Sequence, residues 1–188
     1  MWRKFMDEIL VKSYTEDGYR PIPSIHTSDE EYTRGLQCFV PTCTDIVPID
    51  REKKIIYLVR RKIKPMKGLW WIGGKMNPDD TKEMSVVRSF KREAGLELPA
   101  DRFKLAAFFD YRWKDREQLP QDVGCHMTAY TFTIELSDEE IALVNLDETF
   151  EKGVGLTPFT REKIEQEIAK GEAISAILDL YDYIFPVD

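Results

Sequence analysis

Between Gly73 and Leu96 the chain runs through a glycine pair, a short acidic loop, a helix-patterned stretch and a closing glycine. No other stretch constrains the fold as much, because each of its parts has its own physical signature. The Gly73-Gly74 step allows backbone to approach another group closely. Asp80 is placed to cap a helix, with Glu83 returning three residues later. Met84, Val87, Phe90 (or Lys91) and Ala94 recur at a 3.6-residue period, which predicts a core-facing stripe, and Gly95 ends the helix. Ser89, Arg92 and Glu93 stand at i, i+3 and i+4 and share one face, while Arg88 and Arg92 form an i, i+4 pair. A carboxylate beside arginines and an exposed glycine carbonyl could hold Mg²⁺ over a phosphate, since hard cations take oxygen ligands.

Charge is unevenly spread. The net charge is −7, yet Lys53 to Met76 carries Lys53, Lys54, Arg60, Arg61, Lys62, Lys64, Lys67 and Lys75 and no acid. Such a run is a local anion site or a solvated basic loop, and on this fact alone the loop is the simpler reading. The overall acidity disfavours a general nucleic-acid binder. No apolar run approaches the roughly 18 to 20 residues that span a bilayer. Charges break up the N-terminus before a secretory h-region could form. Cys38, Cys43 and Cys125 lack a metal-site spacing, and an odd count argues against a disulfide framework, so a reducing cytoplasm is expected. A phosphate-binding loop at Gly68 and Lys75 fails on spacing, and Met76 stands where a hydroxyl is needed.

Along the chain, residues 3–12 read as a short helix. Ser28 to Leu36 reads as a helical turn or two opened by a Ser28/Glu31 capping box. Cys38 to Ile49 and Lys54 to Arg60 read as strands joined by the charged turn at 50–53, with Pro41 and Pro48 placing the first at a sheet edge. The aromatic piece Leu69 to Ile72 stops at Gly73-Gly74, with Trp70 and Trp71 on alternate faces, mostly as core, although one could stack on a base. Lys104 to Trp113 and His126 to Leu136 are expected strands, separated by a polar loop from Lys114 to Gly124. Asp138 to Asn145 precedes an acidic loop, 147–151. Thr160 to Lys170 and Glu172 to Phe185 read as helices broken at Gly171. This pattern predicts an α/β (α+β) domain with a mixed sheet.

The Gly74–Leu96 stretch resembles the box of the Nudix hydrolase family, G-x5-E-x7-R-E-U-x-E-E-x-G-U, where U is a bulky aliphatic residue. Five residues separate Gly74 from Asp80 and seven more lead to Arg88, and every later spacing holds to Leu96. Three acids of that pattern are replaced, by Asp80, Ser89 and Arg92, so that Glu93 alone survives of the three helix glutamates. The resemblance implies a Nudix-type α/β/α sandwich spanning residues 36–188, an N-terminal helical extension over 1–35, and a divalent cofactor, Mg²⁺ or Mn²⁺.

Within that family the chain is most similar to the GDP-mannose mannosyl hydrolase branch, which cleaves at the sugar's anomeric carbon. The run Arg61-x3-Pro65-x2-Gly68-x-Trp70 carries this likeness. It implies Arg61 on the leaving group, Asp45 on the substrate, the Gly73 carbonyl and Glu93 on the metal, and Arg88 as the box arginine. Lys75 and Arg92 are further substrate contacts, Arg92 alternatively the counter-ion of Glu93. His126 opens the matching strand, where a structural role is the competing reading. The branch's late Gln ligand and His base are absent, leaving Glu148 as ligand and Glu148 or Asp147 as base. A nucleotide or nucleotide-sugar substrate is implied, with neither nucleic acid nor membrane as partner, and residues 1–35 could extend a homodimer interface. The rivals are a Nudix-fold binding module without turnover and an ordinary pyrophosphatase using acids from other loops.

Overall fold

The computed structural model describes residues 10–186. β1 (Thr42–Asp50) and β2 (Ile55–Arg61) pair antiparallel across the charged turn, where the Asp50 carboxylate accepts from the Lys53 backbone N–H at 2.9 Å. β3 (Gly68–Trp70) pairs with β2, and β4 (Ile72–Lys75) pairs with β1. β5 (Lys104–Trp113) and β6 (Cys125–Glu135) form a long antiparallel pair. β6 lies parallel to β1, and β7 (Thr157–Phe159) is antiparallel to β2. The strand order is β3-β2-β1-β6-β5, with β4 and β7 as additional partners of β1 and β2.

Strand alternation sends neighbouring residues of β1 to opposite faces. Ile46 joins Val59, Ile72, Phe132 and Ile134 beneath Val86, Phe90 and Ala94 of α2 (Lys82–Ala94). Val47 and Ile49 join Leu58 and Trp71 against Ile164 of α4 (Arg161–Ala169) and Ile177 and Leu180 of α5 (Ser175–Ile184). Helices on both faces of a mixed sheet make the expected α/β/α sandwich. α1 (Asp29–Cys38) carries the Ser28/Glu31 capping box and runs through the expected extension boundary at residue 35. α3 (Asp138–Leu143) lies before the acidic loop.

Several expectations are corrected. β1 is an interior strand, flanked by β6 on one side and by β4 and β2 on the other. Pro48 falls in the interval between Ile46, the last residue paired to β4, and Ile49, the first paired to β2. A proline within a sheet needs such a break. The glycine pair does not stop a strand but lies within β4, opposite Asp45 and Thr44. Thr81, not Asp80, caps α2, accepting from the Met84 N–H at 3.2 Å. The buried face of α2 is Ser85, Val86, Ser89, Phe90, Glu93 and Ala94, whereas Met84 is 57% exposed. Trp70 and Trp71 share one core, because the chain leaves β3 at Trp70 and re-enters pairing at Ile72. The helix expected at 3–12 lies mainly outside the described residues, and residues 10–12 carry no helix.

Candidate functional site

β1, β4, β5 and β6 enclose a cavity of about 410 Å³ on the sheet surface, closed on one side by the 147–150 loop. Its wall is aromatic. Tyr111 and Trp113 line it from one face of β5, stacked at 5.1 Å, with Phe109 next along that face behind them. Trp70 meets Tyr111 and Trp113 edge-on, at 5.6 Å and 5.3 Å. Trp71 Nε1 and the Tyr111 hydroxyl are buried without a hydrogen-bond partner, and both residues line the cavity. Buried polar atoms are nearly always satisfied, so this pair marks a place for a bound polar group.

Basic side chains face the same space. Arg61 and Lys75 line it, and neither has an ion-pair partner among the described residues. The Lys75 ammonium lies over the Tyr32 ring at 4.3 Å, so α1 contributes to the cavity rim. Asp45 is buried in β1 beside Gly73, and burial pushes its carboxyl up to about 7, with the nearby Trp71 indole, which lies outside hydrogen-bond geometry, and the Arg61 charge pulling the other way. Glu93 is buried at the end of α2, and burial likewise raises its carboxyl above the usual range.

The glycine pair makes room for these side chains. A Cβ on Gly73 would lie 2.5 Å from the Thr44 carbonyl oxygen and 2.7 Å from an Asp45 carboxylate oxygen. One on Gly74 would lie 2.6 Å from Arg92 Nη2. The Gly73 N–H donates to Glu93 Oε2 at 2.8 Å. Arg92 Nη2 donates to the Gly73 carbonyl at 3.1 Å and also to Glu93 Oε1.

Asp45, Arg61, Gly73, Lys75, Arg92, Glu93 and Asp147 are thus brought to one cavity. Asp147 is tied down there, accepting from the Thr149 N–H at 2.8 Å and hydroxyl at 2.5 Å. Glu148 is exposed and off the cavity lining. Arg88 lies outside it, clamped to Asp80 at 2.6 Å and to the Lys75 carbonyl at 2.9 Å. His126 also lies outside, sharing a 2.5 Å contact with Asp110 on the neighbouring strand. Sequence reasoning offered a tryptophan of the 70–71 pair as a stacking surface and missed Trp113 as part of the same wall. Its signal was the i, i+2 spacing of Tyr111 and Trp113 on one strand face.

The NUDIX domain family model matches residues 41–171, about seven-tenths of the chain. The chain belongs to the NUDIX domain family. The MutT protein of Methanosarcina mazei Go1 superposes with a TM-score of 0.56 at 16% identity, over 77% of this chain and 92% of that one. The MutT NUDIX hydrolase of Burkholderia pseudomallei gives a TM-score of 0.55 at 17% identity, over 77% and 98%. A MutT/nudix family protein of Enterococcus faecalis aligns at 16% identity and a TM-score of 0.48; this chain spans 51% of its length, using 71% of its own. No curated protein matches the chain by sequence. The Methanosarcina and Burkholderia structures share the fold. Tyr32 stands outside the family match yet inside the cavity wall.

Nudix hydrolases generally use divalent ions, and the donors present here can be tested against one. The Glu93 carboxylate and the Gly73 carbonyl are the two oxygens the family box would offer, and Arg92 Nη2 already bonds to both. Among the described residues no group of three or more His, Cys, Asp or Glu side chains is gathered to hold a metal. A guanidinium and a dication would compete for the same two oxygens. In this arrangement the residues do not fit the ion.

Proposed function

We propose that this chain is a Nudix-type hydrolase of nucleoside diphosphate derivatives, with nucleotide sugars of the GDP-mannose kind as the foremost substrate class. The observation that carries this reading is the orphaned pair, Trp71 Nε1 and the Tyr111 hydroxyl, buried in an aromatic cavity beside Arg61 and Lys75, none of the four partnered among the described residues by a hydrogen bond or ion pair of its polar group. An aromatic wall with two unmet hydrogen-bonding groups suits a base or sugar ring. Adjacent fixed cations suit a diphosphate.

In a nucleotide sugar, water would attack the anomeric carbon, and the bond from that carbon to the diphosphate oxygen would break. Arg61, Lys75 and Arg92 would stabilise the charge that collects on the departing nucleoside diphosphate. The water proton would pass to Asp45, which lines the cavity and, unlike Asp147, carries no hydrogen bond from a neighbouring backbone or hydroxyl. A binding module without turnover is the second reading. Its support is the engagement of Glu93 by Arg92 and the exposed position of Glu148.

Incubation with GDP-mannose and related nucleotide sugars, in Mg²⁺ and in EDTA, tests both readings by product chromatography. Free sugar with nucleoside diphosphate is the expected result. Nucleoside monophosphate with sugar phosphate would move the attack to phosphorus. Ligand-induced thermal stabilisation with no product would establish the binding module, and neither product nor stabilisation would end the substrate assignment.

A further inference from the structure

We infer that Arg92 is a resident cation, standing where a divalent ion would otherwise sit between the Glu93 carboxylate and the Gly73 carbonyl. One guanidinium nitrogen bonds to both oxygens. The other carboxylate oxygen of Glu93 is held by the Gly73 N–H at 2.8 Å, which fixes Oε1 toward the arginine. Gly74 supplies the space, since a Cβ there would approach Arg92 Nη2 to 2.6 Å and Ser89 Oγ to 3.0 Å. Ser89, which replaces a box acid, is buried with its hydroxyl unpartnered and brings no second negative charge. One carboxylate facing one guanidinium is already neutral, so the electrostatic demand for a dication is gone.

The guanidinium can serve the ligand as well. It has five N–H donors, of which the two protein oxygens engage one nitrogen. Its side chain is about half exposed and lines the cavity. The remaining donors are available to a phosphate in the space that Arg61 and Lys75 also face. This last step rests on the diphosphate reading above, whereas the exclusion of metal does not.

Mn²⁺ binding to the protein alone, followed by electron paramagnetic resonance, tests the exclusion without any nucleotide. Wild type should bind Mn²⁺ at least roughly tenfold more weakly than Arg92→Ala. The gain should vanish in Arg92→Ala/Glu93→Gln. Arg92→Lys, which keeps the charge, should stay as weak as wild type and guards against a packing artefact. Equal Mn²⁺ affinity in wild type and Arg92→Ala would overturn the inference. Calorimetry with GDP should give equal wild-type affinity in Mg²⁺ and in EDTA, and Mg²⁺-dependent affinity in Arg92→Ala. Wild-type GDP binding that requires Mg²⁺ would likewise overturn it. If GDP fails to bind under either condition, the substrate reading falls, and the Mn²⁺ comparison still decides the role of Arg92.

Discussion

α2 carries two arginine–carboxylate pairs one turn apart, and they do different work. At the N-terminal side Arg88 grips Asp80 and the Lys75 carbonyl, locking the acidic loop onto β4. At the C-terminal side Arg92 grips Glu93 and the Gly73 carbonyl, at the wall of the cavity. Both acids are well buried, with Asp80 at 11% and Glu93 at 10% side-chain exposure, so burial of the carboxylate does not separate them. What differs is the space beside the pair. The first is surrounded by its own loop and the second opens onto orphaned polar groups and free cations. On the proposed reading, the same chemistry serves the loop at one end and the ligand at the other, according to what the tertiary fold places next to it.

The largest expected effect tests how tightly β4 is seated. Gly73→Ala should cost about 3 kcal/mol, because its Cβ meets backbone at Thr44 rather than a mobile side-chain tip. Urea unfolding measures this, and Gly74→Ala, whose clash is with the end of Arg92, should cost much less. Arg88→Ala comes next, at about 2 kcal/mol, since it takes the charged partner from the buried Asp80 carboxylate, leaving it the Asn77 N–H, and removes the guanidinium bond to the Lys75 carbonyl. A loss as small as that of a surface pair would erase the contrast between the two ends.

The third effect concerns pH. Burial raises the folded-state value of Asp45 to about 7, above its unfolded value. Between the unfolded value and 7 the native state therefore holds a proton that the unfolded chain does not, so stability falls as pH rises through this window. In EDTA, Tm should be higher at pH 5.5 than at 8.5, by roughly 3–6 °C. Asp45→Asn should shrink that difference, leaving the share that Glu93, raised in the same direction, contributes. An unchanged difference would show that Asp45 is not the group responsible. The smallest effect is Arg92→Ala on stability, about 0.5 kcal/mol, because this arginine is half exposed. A cost equal to that of Arg88→Ala would make both pairs structural.

Much of the fold was legible because its signals are local. The Ser28/Glu31 capping box and the Gly95 helix end, at φ 73°, are settled within one turn of chain. The spacing from Gly74 to Leu96 likewise fixed the family resemblance and offered Arg92 and Glu93 as candidates, and the run from Arg61 to Trp70 carried the further likeness that added Asp45, Arg61 and Gly73. Errors arose where a distant group decided the outcome. Asp80 looked like a cap, but Arg88 and the Asn77 N–H claim its carboxylate, leaving the cap to Thr81. Met84 fitted the helical period, yet the sheet selected the stripe through Val86 and Phe90. The short β4 and β7 exist through pairing to β1 and β2 and have little pattern of their own.

By itself, then, the sequence determined the loop–helix–loop, the longer strands and helices, and the residue types gathered in the box. Only the tertiary structure decided that Trp71 and Tyr111 stay unpartnered beside Arg61, and that Arg92 closes on Glu93 and the Gly73 carbonyl. Caps and helical periods rest on contacts a few residues apart, which a linear pattern records. Those site relations depend on strand register and on backbone approach across distant segments, and they take shape once the sheet is assembled.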